Sequence, residues 1–286
     1  MKKFALALMV LAVAALGIAA TSTTAQAANA TAGVVDVNGK PTLVIKGTKR
    51  IESVMVTAYS AIPENGNWDD PEVPIWSVSI IEGGLRVAAD SRTGECWQFG
   101  RGAVYCKRDK GGFRSVIASL GGGIDSLIVD KSLQVRADGG PGSDSLYGGR
   151  KNDVLIGGPG RDMLQGEGGN DVLVGGSGDD DLRGDFWRDG VFGRPYAKPA
   201  GNDRIVGGPG RDTIQGGAGS DLLLGGPGSD WFENNKDRAR DRIVGGGGTD
   251  SVRDPDHSRT GNGVAILDRI SSSEFLYLGF TRYRLK

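Results

Sequence analysis

Residues 157–180 read GGPGRDMLQGEGGNDVLVGGSGDD, and this stretch decides the fold. It alternates a turn-like hexapeptide, Gly-Gly-x-Gly-x-Asp, with a tripeptide x-U-x in which U is a large apolar residue. Perfect hexapeptides occur at 139–144, 157–162, 175–180, 207–212, 216–221, 225–230 and 245–250. Imperfect copies end at Asp125, Asp153, Asp171, Asp203 and Asp241. The regular apolar U positions argue against a disordered glycine-rich linker, which would not keep a nine-residue phase.

Each position of the nonapeptide has a physical reason. Glycine adopts the positive φ angles that tight turns need. The x-U-x tripeptide forms a short strand whose U side chain points inward and whose neighbours point outward. Two nonapeptides complete one coil, so residues eighteen apart stack about 4.8 Å from each other. The sequence therefore predicts an all-β fold, a right-handed parallel β-roll (β-solenoid), with insertions before Asp203 and Asp241 looping out of turns.

Stacked coils bring the aspartates into columns along the edges of the roll, where the carboxylates repel each other. A hard cation with about six to eight oxygen ligands relieves this repulsion by binding carboxylates and turn carbonyls together. Ca²⁺ suits such a site better than Mg²⁺, which prefers a tighter octahedron with several waters. The candidate metal ligands are Asp125, Asp144, Asp153, Asp162, Asp171, Asp180, Asp203, Asp212, Asp221, Asp230 and Asp250, with the turn glycines Gly140, Gly142, Gly158, Gly160, Gly176, Gly178, Gly208, Gly210, Gly226 and Gly228.

The nonapeptide resembles that of the repeats-in-toxin (RTX), or hemolysin-type, calcium-binding family over residues 120–253. The resemblance implies Ca²⁺ as the cofactor and calcium-dependent folding of the roll. Family members exported by type I machinery lack a cleaved N-terminal signal. This chain is more similar to Sec-exported calcium-binding proteins that join such repeats to a β-rich N-terminal half.

The two edges of the roll differ in sequence. The first edge carries the turns that end at Asp125, Asp144, Asp162, Asp180, Asp212, Asp230 and Asp250, and all but the first of these are perfect copies. The second edge carries both insertions and charged residues in place of glycines or small residues, at Lys151, Glu167, Lys198, Lys236 and Arg238. Since a nearby cation competes with Ca²⁺ for a carboxylate, we expect most of the metal on the first edge and one or two ions on the second.

The strands that leave the second edge are apolar on both faces, which is typical of a sheet covered on both sides. We expect their outward side chains to form one patch, and soluble monomers rarely expose a large one. Two explanations stay open: cover by the C-terminal strands or by the aromatic insert with Phe186, Trp187, Phe192 and Tyr196, or docking of a partner or second copy. The patch comprises Val154, Ile156, Val172, Val174, Val206, Leu222, Leu224 and Val244.

The termini and the first half complete the domain plan. Residues 1–27, with Lys2 and Lys3 before an apolar stretch, predict a secretory signal peptide and hence a secreted, extracellular or cell-surface protein. Residues 28–119 alternate in the manner of strands, which predicts a β-rich N-terminal region before the roll at 120–253. Residues 254–286 are predicted to cap the far end. In an exported chain, the pair Cys96 and Cys106 indicates a disulfide.

Several classes of function are disfavoured. The 34 basic and 35 acidic residues nearly balance, so net charge suggests neither a nucleic acid nor a membrane surface as partner. No His-Glu-x-x-His or Gly-x-Ser-x-Gly motif is present, and the single histidine, His257, lies in a polar run, so we expect no enzyme. Ice binding is disfavoured because the variable turn positions form no regular Thr or Asn array. The alternative to a calcium-binding protein is an adhesin or surface-recognition module in which calcium is purely structural, with a protein or cell-surface partner on the apolar sheet face.

Overall fold

The structure is a computed structural model that describes residues 30–49, 53–60, 74–80, 85–87, 96–99, 103–107, 113–130, 132–185, 201–233, 239, 241–254, 265–266, 275–278 and 281–284. The predicted signal peptide, the aromatic insert and His257 lie outside these residues. Within them the regular elements are strands, and none of the chain so described forms a helix able to cross a membrane.

The strands form two sheets. Sheet A comprises β1 (Ala30–Val37), β2 (Lys40–Thr48), β5 (Leu85–Val87), β8 (Ser115–Gly121), β10 (Gln134–Asp138), β12 (Val154–Pro159), β14 (Val172–Ser177), β16 (Arg204–Val206), β18 (Leu222–Pro227), β20 (Arg242–Gly247) and β22 (Ala265–Ile266). Sheet B comprises β3 (Ser53–Ser60), β4 (Pro74–Ile80), β6 (Cys96–Phe99), β7 (Ala103–Lys107), β9 (Ser126–Val129), β11 (Ser145–Gly149), β13 (Met163–Glu167), β15 (Asp181–Arg183), β17 (Thr213–Gln215), β19 (Trp231–Glu233), β21 (Ser251–Asp254), β23 (Phe275–Leu278) and β24 (Thr281–Arg284).

The repeats alternate between the two sheets, and each pairs in parallel with the repeat one coil away. Leu155 lies opposite Leu173, eighteen residues on, as the nonapeptide period requires. The register also survives both insertions, because Leu182 lies opposite Ile214 and Leu223 opposite Ile243. The predicted parallel β-roll is therefore confirmed.

The U side chains form the core between the sheets. They stand in two facing columns in which every member is buried, and Phe232 is the largest of them. Fully burying an aliphatic or aromatic side chain contributes about 1.5–3 kcal/mol, so these columns supply the main attraction that holds the two sheets together. The columns comprise Leu146, Leu155, Leu164, Leu173, Leu182, Ile205, Ile214, Leu223, Phe232, Ile243 and Val252.

Strands from outside the repeats continue both sheets. At the N-terminal end, β2 pairs in parallel with β8 and β3 with β9. Asn38 and Gly39 form the turn of the β1–β2 hairpin, and both residues have positive φ, 52° and 73°, as the favoured two-residue hairpin turn requires. At the far end, β22 pairs with β20 and β23 with β21. The domain boundaries at 119/120 and 253/254 stay predictions, since both sheets run past them.

The two cysteines lie opposite each other on the antiparallel strands β6 and β7. A disulfide joins Cys96 to Cys106, as the sequence predicted. The bond links neighbouring strands at the N-terminal end of sheet B, away from the repeats.

The predicted apolar patch lies on the outer face of sheet A. Ile156, Val174, Val206, Leu224 and Val244 follow one another in register across five strands. All eight members of the patch are partly exposed. The aromatic insert, one of the two intrachain covers considered, is outside the described residues, so the choice between intrachain cover and docking stays a prediction.

The stacking of the turns predicts a glycine requirement at Gly176. Its φ is +120°, and a Cβ there would overlap the backbone carbonyl of Gly158 in the preceding coil. Left-handed backbone costs about 1–2 kcal/mol outside glycine, so Gly176→Ala is expected to lower the free energy of unfolding in excess calcium by more than about 2 kcal/mol. The matched control is Ser177→Ala, at an exposed position of the same turn, which is expected to change little. Equal denaturation midpoints for the two variants contradict the prediction.

Candidate metal site

The turns at the two edges stack through their backbones. At the first edge, the amide of Gly140 donates to the carbonyl of Gly157 in the next coil at 3.0 Å, and Gly142 donates to Pro159 at 2.8 Å. The pattern recurs further along, where Gly208 donates to Gly225 at 2.8 Å and Gly210 to Pro227 at 2.9 Å. The second and fourth residues of a turn thus bond to the first and third residues of the next, which holds successive turns in register.

One carboxylate oxygen of each repeat aspartate takes part in the same stacking. On the first edge, the Oδ1 atom accepts a hydrogen bond from the backbone amide of the aspartate one coil earlier. The donor–acceptor pairs are Asp125 to Asp144 (2.8 Å), Asp144 to Asp162 (2.8 Å), Asp162 to Asp180 (2.9 Å), Asp180 to Asp212 (3.0 Å), Asp212 to Asp230 (2.9 Å) and Asp230 to Asp250 (2.8 Å).

The second edge carries the same ladder, although all but one of its turns are imperfect. The pairs are Val135 to Asp153 (2.7 Å), Asp153 to Asp171 (2.7 Å), Asp171 to Asp203 (2.8 Å), Asp203 to Asp221 (2.8 Å) and Asp221 to Asp241 (2.9 Å). The structure therefore brings the predicted aspartates together in two rows and adds Asp241 to the second. The irregular turns of this edge have not removed its carboxylates.

The other carboxylate oxygen, Oδ2, is the atom in each row that is available to bind a cation. At nine aspartates this atom is buried and accepts no hydrogen bond, although the residues are at most 3 % exposed. A buried charged oxygen without a partner is costly, since its lost hydration is not replaced. The nine are Asp144, Asp162, Asp180, Asp212, Asp230 and Asp250 on the first edge, and Asp171, Asp203 and Asp221 on the second. At Asp153, by contrast, Oδ2 accepts the amide of Gly149 at 2.6 Å.

The first glycine of each turn makes room for this oxygen. A Cβ added to Gly157 would come within 3.0 Å of both Asp162 Oδ2 and the carbonyl oxygen of Gly175 in the next coil. The same convergence occurs at Gly139, Gly175, Gly207 and Gly225. A carboxylate and a turn carbonyl thus approach each other at successive coils, and these are the oxygen types that Ca²⁺ binds.

The glycine that adjoins the carboxylate is the first of the turn. The predicted ligands were the second and fourth glycines, and their binding of metal stays a prediction. The second and fourth, such as Gly158 and Gly160, lie against carbonyls of the preceding coil. The sequence feature that could have found it is the glycine that opens most of the stacked turns, including the imperfect ones at Gly148, Gly166 and Gly184.

The electrostatics of the rows favour binding of a cation. Burial, opposed by the backbone hydrogen bonds and reinforced by neighbouring carboxylates, raises the pKa of Asp162 and Asp212 to about 7. On the second edge the same causes raise the pKa of Asp171 to about 9 and that of Asp221 to about 8. Arg183 and Arg211 form ion pairs with Asp181 and Asp179, which lie outside the two rows.

A calcium ion fits this arrangement if it lies between two coils and takes oxygen ligands from both. In the described part of the chain, no three His, Cys, Asp or Glu side chains come together as a metal-binding group. Each ion would therefore combine carboxylates of successive coils with backbone carbonyls of the turns, as a hard cation of high coordination number allows.

The raised pKa values predict how the metal-free roll responds to pH. An aspartate whose folded pKa exceeds its unfolded value stabilises the fold fully below about pH 3.8 and loses that contribution as the pH rises through the folded value. These folded values run from about 6 at Asp144 to about 9 at Asp171. In excess chelator, circular dichroism is therefore expected to show more β-structure at pH 5 than at pH 9.

Two variants separate this cause from a general charge effect. Asp171→Asn is expected to weaken the pH dependence, whereas Asp179→Asn is not, because the pKa of exposed Asp179 is lowered by its hydrogen bonds with Arg211. Equal β-structure at both pH values in the unmodified chain contradicts the prediction.

Comparison with known proteins agrees with this geometry. The family described as RTX calcium-binding nonapeptide repeat matches in four copies, at residues 138–173, 156–186, 200–232 and 237–253. The matched ranges include turns of both edges and lie on both sides of the two insertions. No curated protein and no solved structure matches the chain. The repeats of this β-roll belong to the RTX, or hemolysin-type, family, whose nonapeptides bind Ca²⁺.

Proposed function

We propose that the chain is a secreted calcium-binding protein in which calcium binding and folding of the β-roll are one event. The observation that carries the proposal is the row of buried Oδ2 atoms that accept no hydrogen bond. Without metal, each coil must order flexible glycines against neighbouring carboxylates. With calcium, the same oxygens become ligands, and the binding free energy becomes folding free energy.

The proposed ligands are the aspartates of the two rows together with carbonyls of the turn glycines. An ion between two successive coils takes a carboxylate from each, so an aspartate inside a row serves two ions and one at the end serves one. The first edge has seven aspartates in sequence and the second has five. This difference supports the expectation that the first edge holds more of the metal.

Export is proposed from the sequence of residues 1–27, and it agrees with calcium use. Extracellular calcium modules bind with dissociation constants of roughly 10⁻⁴–10⁻³ M, far above calcium-sensor affinities inside cells. In such a range the chain would stay unfolded until it met external calcium. No catalytic role is part of the proposal.

The alternative is a surface-recognition module in which calcium only maintains the fold. The apolar column from Ile156 to Val244 on sheet A favours a partner for that face. A pull-down against cell-surface glycans and envelope fractions separates the two functions. Capture that is lost in Val174→Glu, in a variant that still binds calcium, supports the alternative.

Calcium-dependent folding has a direct test in the mature chain. Titration of calcium into chelator-treated protein is expected to raise the β-sheet signal in circular dichroism and the melting temperature together, because metal binding supplies the folding free energy. Magnesium at equal concentration serves as the control and is expected to act weakly, since it prefers a smaller octahedral site. If excess chelator leaves both the β signal and the melting temperature unchanged, the proposal is wrong.

The proposed ligand positions predict unequal losses of bound calcium. Asp162 lies inside the first row and hydrogen-bonds coils on both sides, whereas Asp241 ends the described second row. Asp162→Ala is therefore expected to remove about two ions, and Asp241→Ala at most about one, measured by equilibrium dialysis of folded protein. Equal losses from the two variants contradict the assignment of ligands.

A further inference from the structure

The outer face of sheet A carries arginines as well as the apolar patch. Its outward residues stand in two columns that run along the roll, and one of them is the apolar column from Ile156 to Val244. In the other column each residue lies opposite the next, in the order Arg136, Val154, Val172, Arg204, Leu222 and Arg242. Arg204 therefore lies inside the patch, and Arg242 lies at its far end.

Neither Arg204 nor Arg242 forms an ion pair with a described residue. Arg183, Arg211 and Arg253 do form ion pairs, but they lie on sheet B or at the first edge. Among the outward positions of β10 to β20, the one acidic residue is Asp138, on β10. Three strand spacings, about 14 Å, separate β10 from the strand of Arg204. The described face thus combines apolar surface with positive charge that it does not neutralise itself.

A second copy of this chain supplies too little negative charge for this face. In a face-to-face dimer, the outward residues of β10 to β20 in one copy would meet those of the other. Each copy would then offer Asp138 to pair with both Arg204 and Arg242 of its partner. Since burying an unpaired charge is costly, the occupant that this face fits best is a molecule with more carboxylates.

The patch is also flush with its surroundings. All eight apolar members are partly buried by their neighbours, whereas Ile124 and Ile128, which lie outside this face, are 59 % and 42 % exposed. Insertion into a membrane requires apolar side chains that reach about 5–10 Å into the headgroup boundary. A flat surface of packed side chains instead suits a protein element, and arginine is enriched at protein interfaces.

An α-helix that lies along the roll matches the spacing of both columns. The faces of parallel sheets are commonly covered by helices. Successive coils are about 4.8 Å apart and successive helical turns about 5.4 Å, so side chains one turn apart meet side chains one coil apart. Arg204 and Arg242 lie two coils apart, about 9.6 Å. Helical residues seven positions apart are separated by a similar distance, about 10.5 Å.

We propose that the outer face of sheet A binds an acidic amphipathic helix of a partner protein. The apolar stripe of the helix packs on the column from Ile156 to Val244, and carboxylates beside the stripe pair with Arg204 and Arg242, with which they form charge-assisted hydrogen bonds. The inference rests on the surface-recognition alternative of the proposed function and gives its partner a chemistry. Since the columns exist only when coils stack, binding requires the folded roll.

Fluorescence anisotropy with a synthetic peptide tests the role of the charges in the mature chain with excess calcium. The labelled peptide is an amphipathic helix with leucines along one face and glutamates seven residues apart beside them, and its control has glutamines in their place. We expect the acidic peptide to bind more tightly. Arg204→Gln and Arg242→Gln are each expected to weaken its binding about two- to fivefold and to leave the glutamine peptide unaffected. Arg253→Gln removes the same charge from sheet B and is expected to change neither.

The substitution Val174→Lys tests the apolar contact separately from charge. It places a cation in the middle of the apolar column, so attraction by charge alone would strengthen binding of the acidic peptide. We expect binding to weaken at least about tenfold, because the lysine interrupts the surface on which the leucines pack. Circular dichroism in calcium verifies that the variant is folded.

The other occupants of this face have their own outcomes. If the two peptides bind equally, if Val174→Lys keeps or strengthens binding, or if the acidic peptide does not bind to the folded chain, the inference is overturned. Binding to phosphatidylglycerol vesicles, or self-association in sedimentation, that is lost in Val174→Lys while no peptide binds identifies a membrane or a second copy instead. Failure of the proposed calcium-dependent folding is seen separately, as a circular dichroism signal that excess chelator leaves unchanged.

Discussion

The β-roll depends on one arrangement: a buried carboxylate in which one oxygen accepts a backbone amide of the preceding coil and the other oxygen accepts no hydrogen bond. The bond from the Asp144 amide to Asp162 Oδ1 fixes the stacking of two coils and, in doing so, buries Asp162 Oδ2. The same aspartate thus defines the geometry of the fold and creates the demand for a cation. Asp153 is the informative exception, because Gly149 satisfies its second oxygen internally.

The hydrophobic core and the carboxylate rows act in opposite directions when metal is absent. Two columns of buried side chains, from Leu146 to Val252, favour stacking of the coils. The stacked coils, in turn, place a buried acid at nearly every turn, and several of these acids have pKa values of 6 to 9. Native stability is a small difference between large contributions, so the proposed function assigns to the carboxylates the decision whether the roll folds. In that proposal, calcium converts their opposing contribution into a stabilising one.

Much of the fold was predictable from sequence because each repeat obeys a local rule. The nine-residue phase predicted the strands, the buried U residues and the pairing across both insertions, which Leu182 and Ile214 confirm. Asn38-Gly39 is likewise a dipeptide whose local chemistry favours the two-residue hairpin turn that it forms. These features depend on the periodicity of the backbone, which the nine-residue repeat of the sequence indicates directly.

The site was predicted less completely because its details depend on contacts between coils. The first glycine of each turn adjoins a carboxylate oxygen of its own coil and a carbonyl of the next, a contact that no single repeat reveals. The irregular turn residues of the second edge led to the expectation that it binds few ions. Its carboxylates nevertheless form the same hydrogen-bond ladder as those of the first edge.

A crystal structure of the calcium-saturated chain, with calcium located by anomalous scattering, tests the central claim most directly. Ions are expected in two rows, one along each edge, each lying between successive coils and bound by aspartate Oδ2 atoms and turn carbonyls. Calcium found elsewhere, or an ordered roll with none between the aspartates of successive coils, would contradict the account.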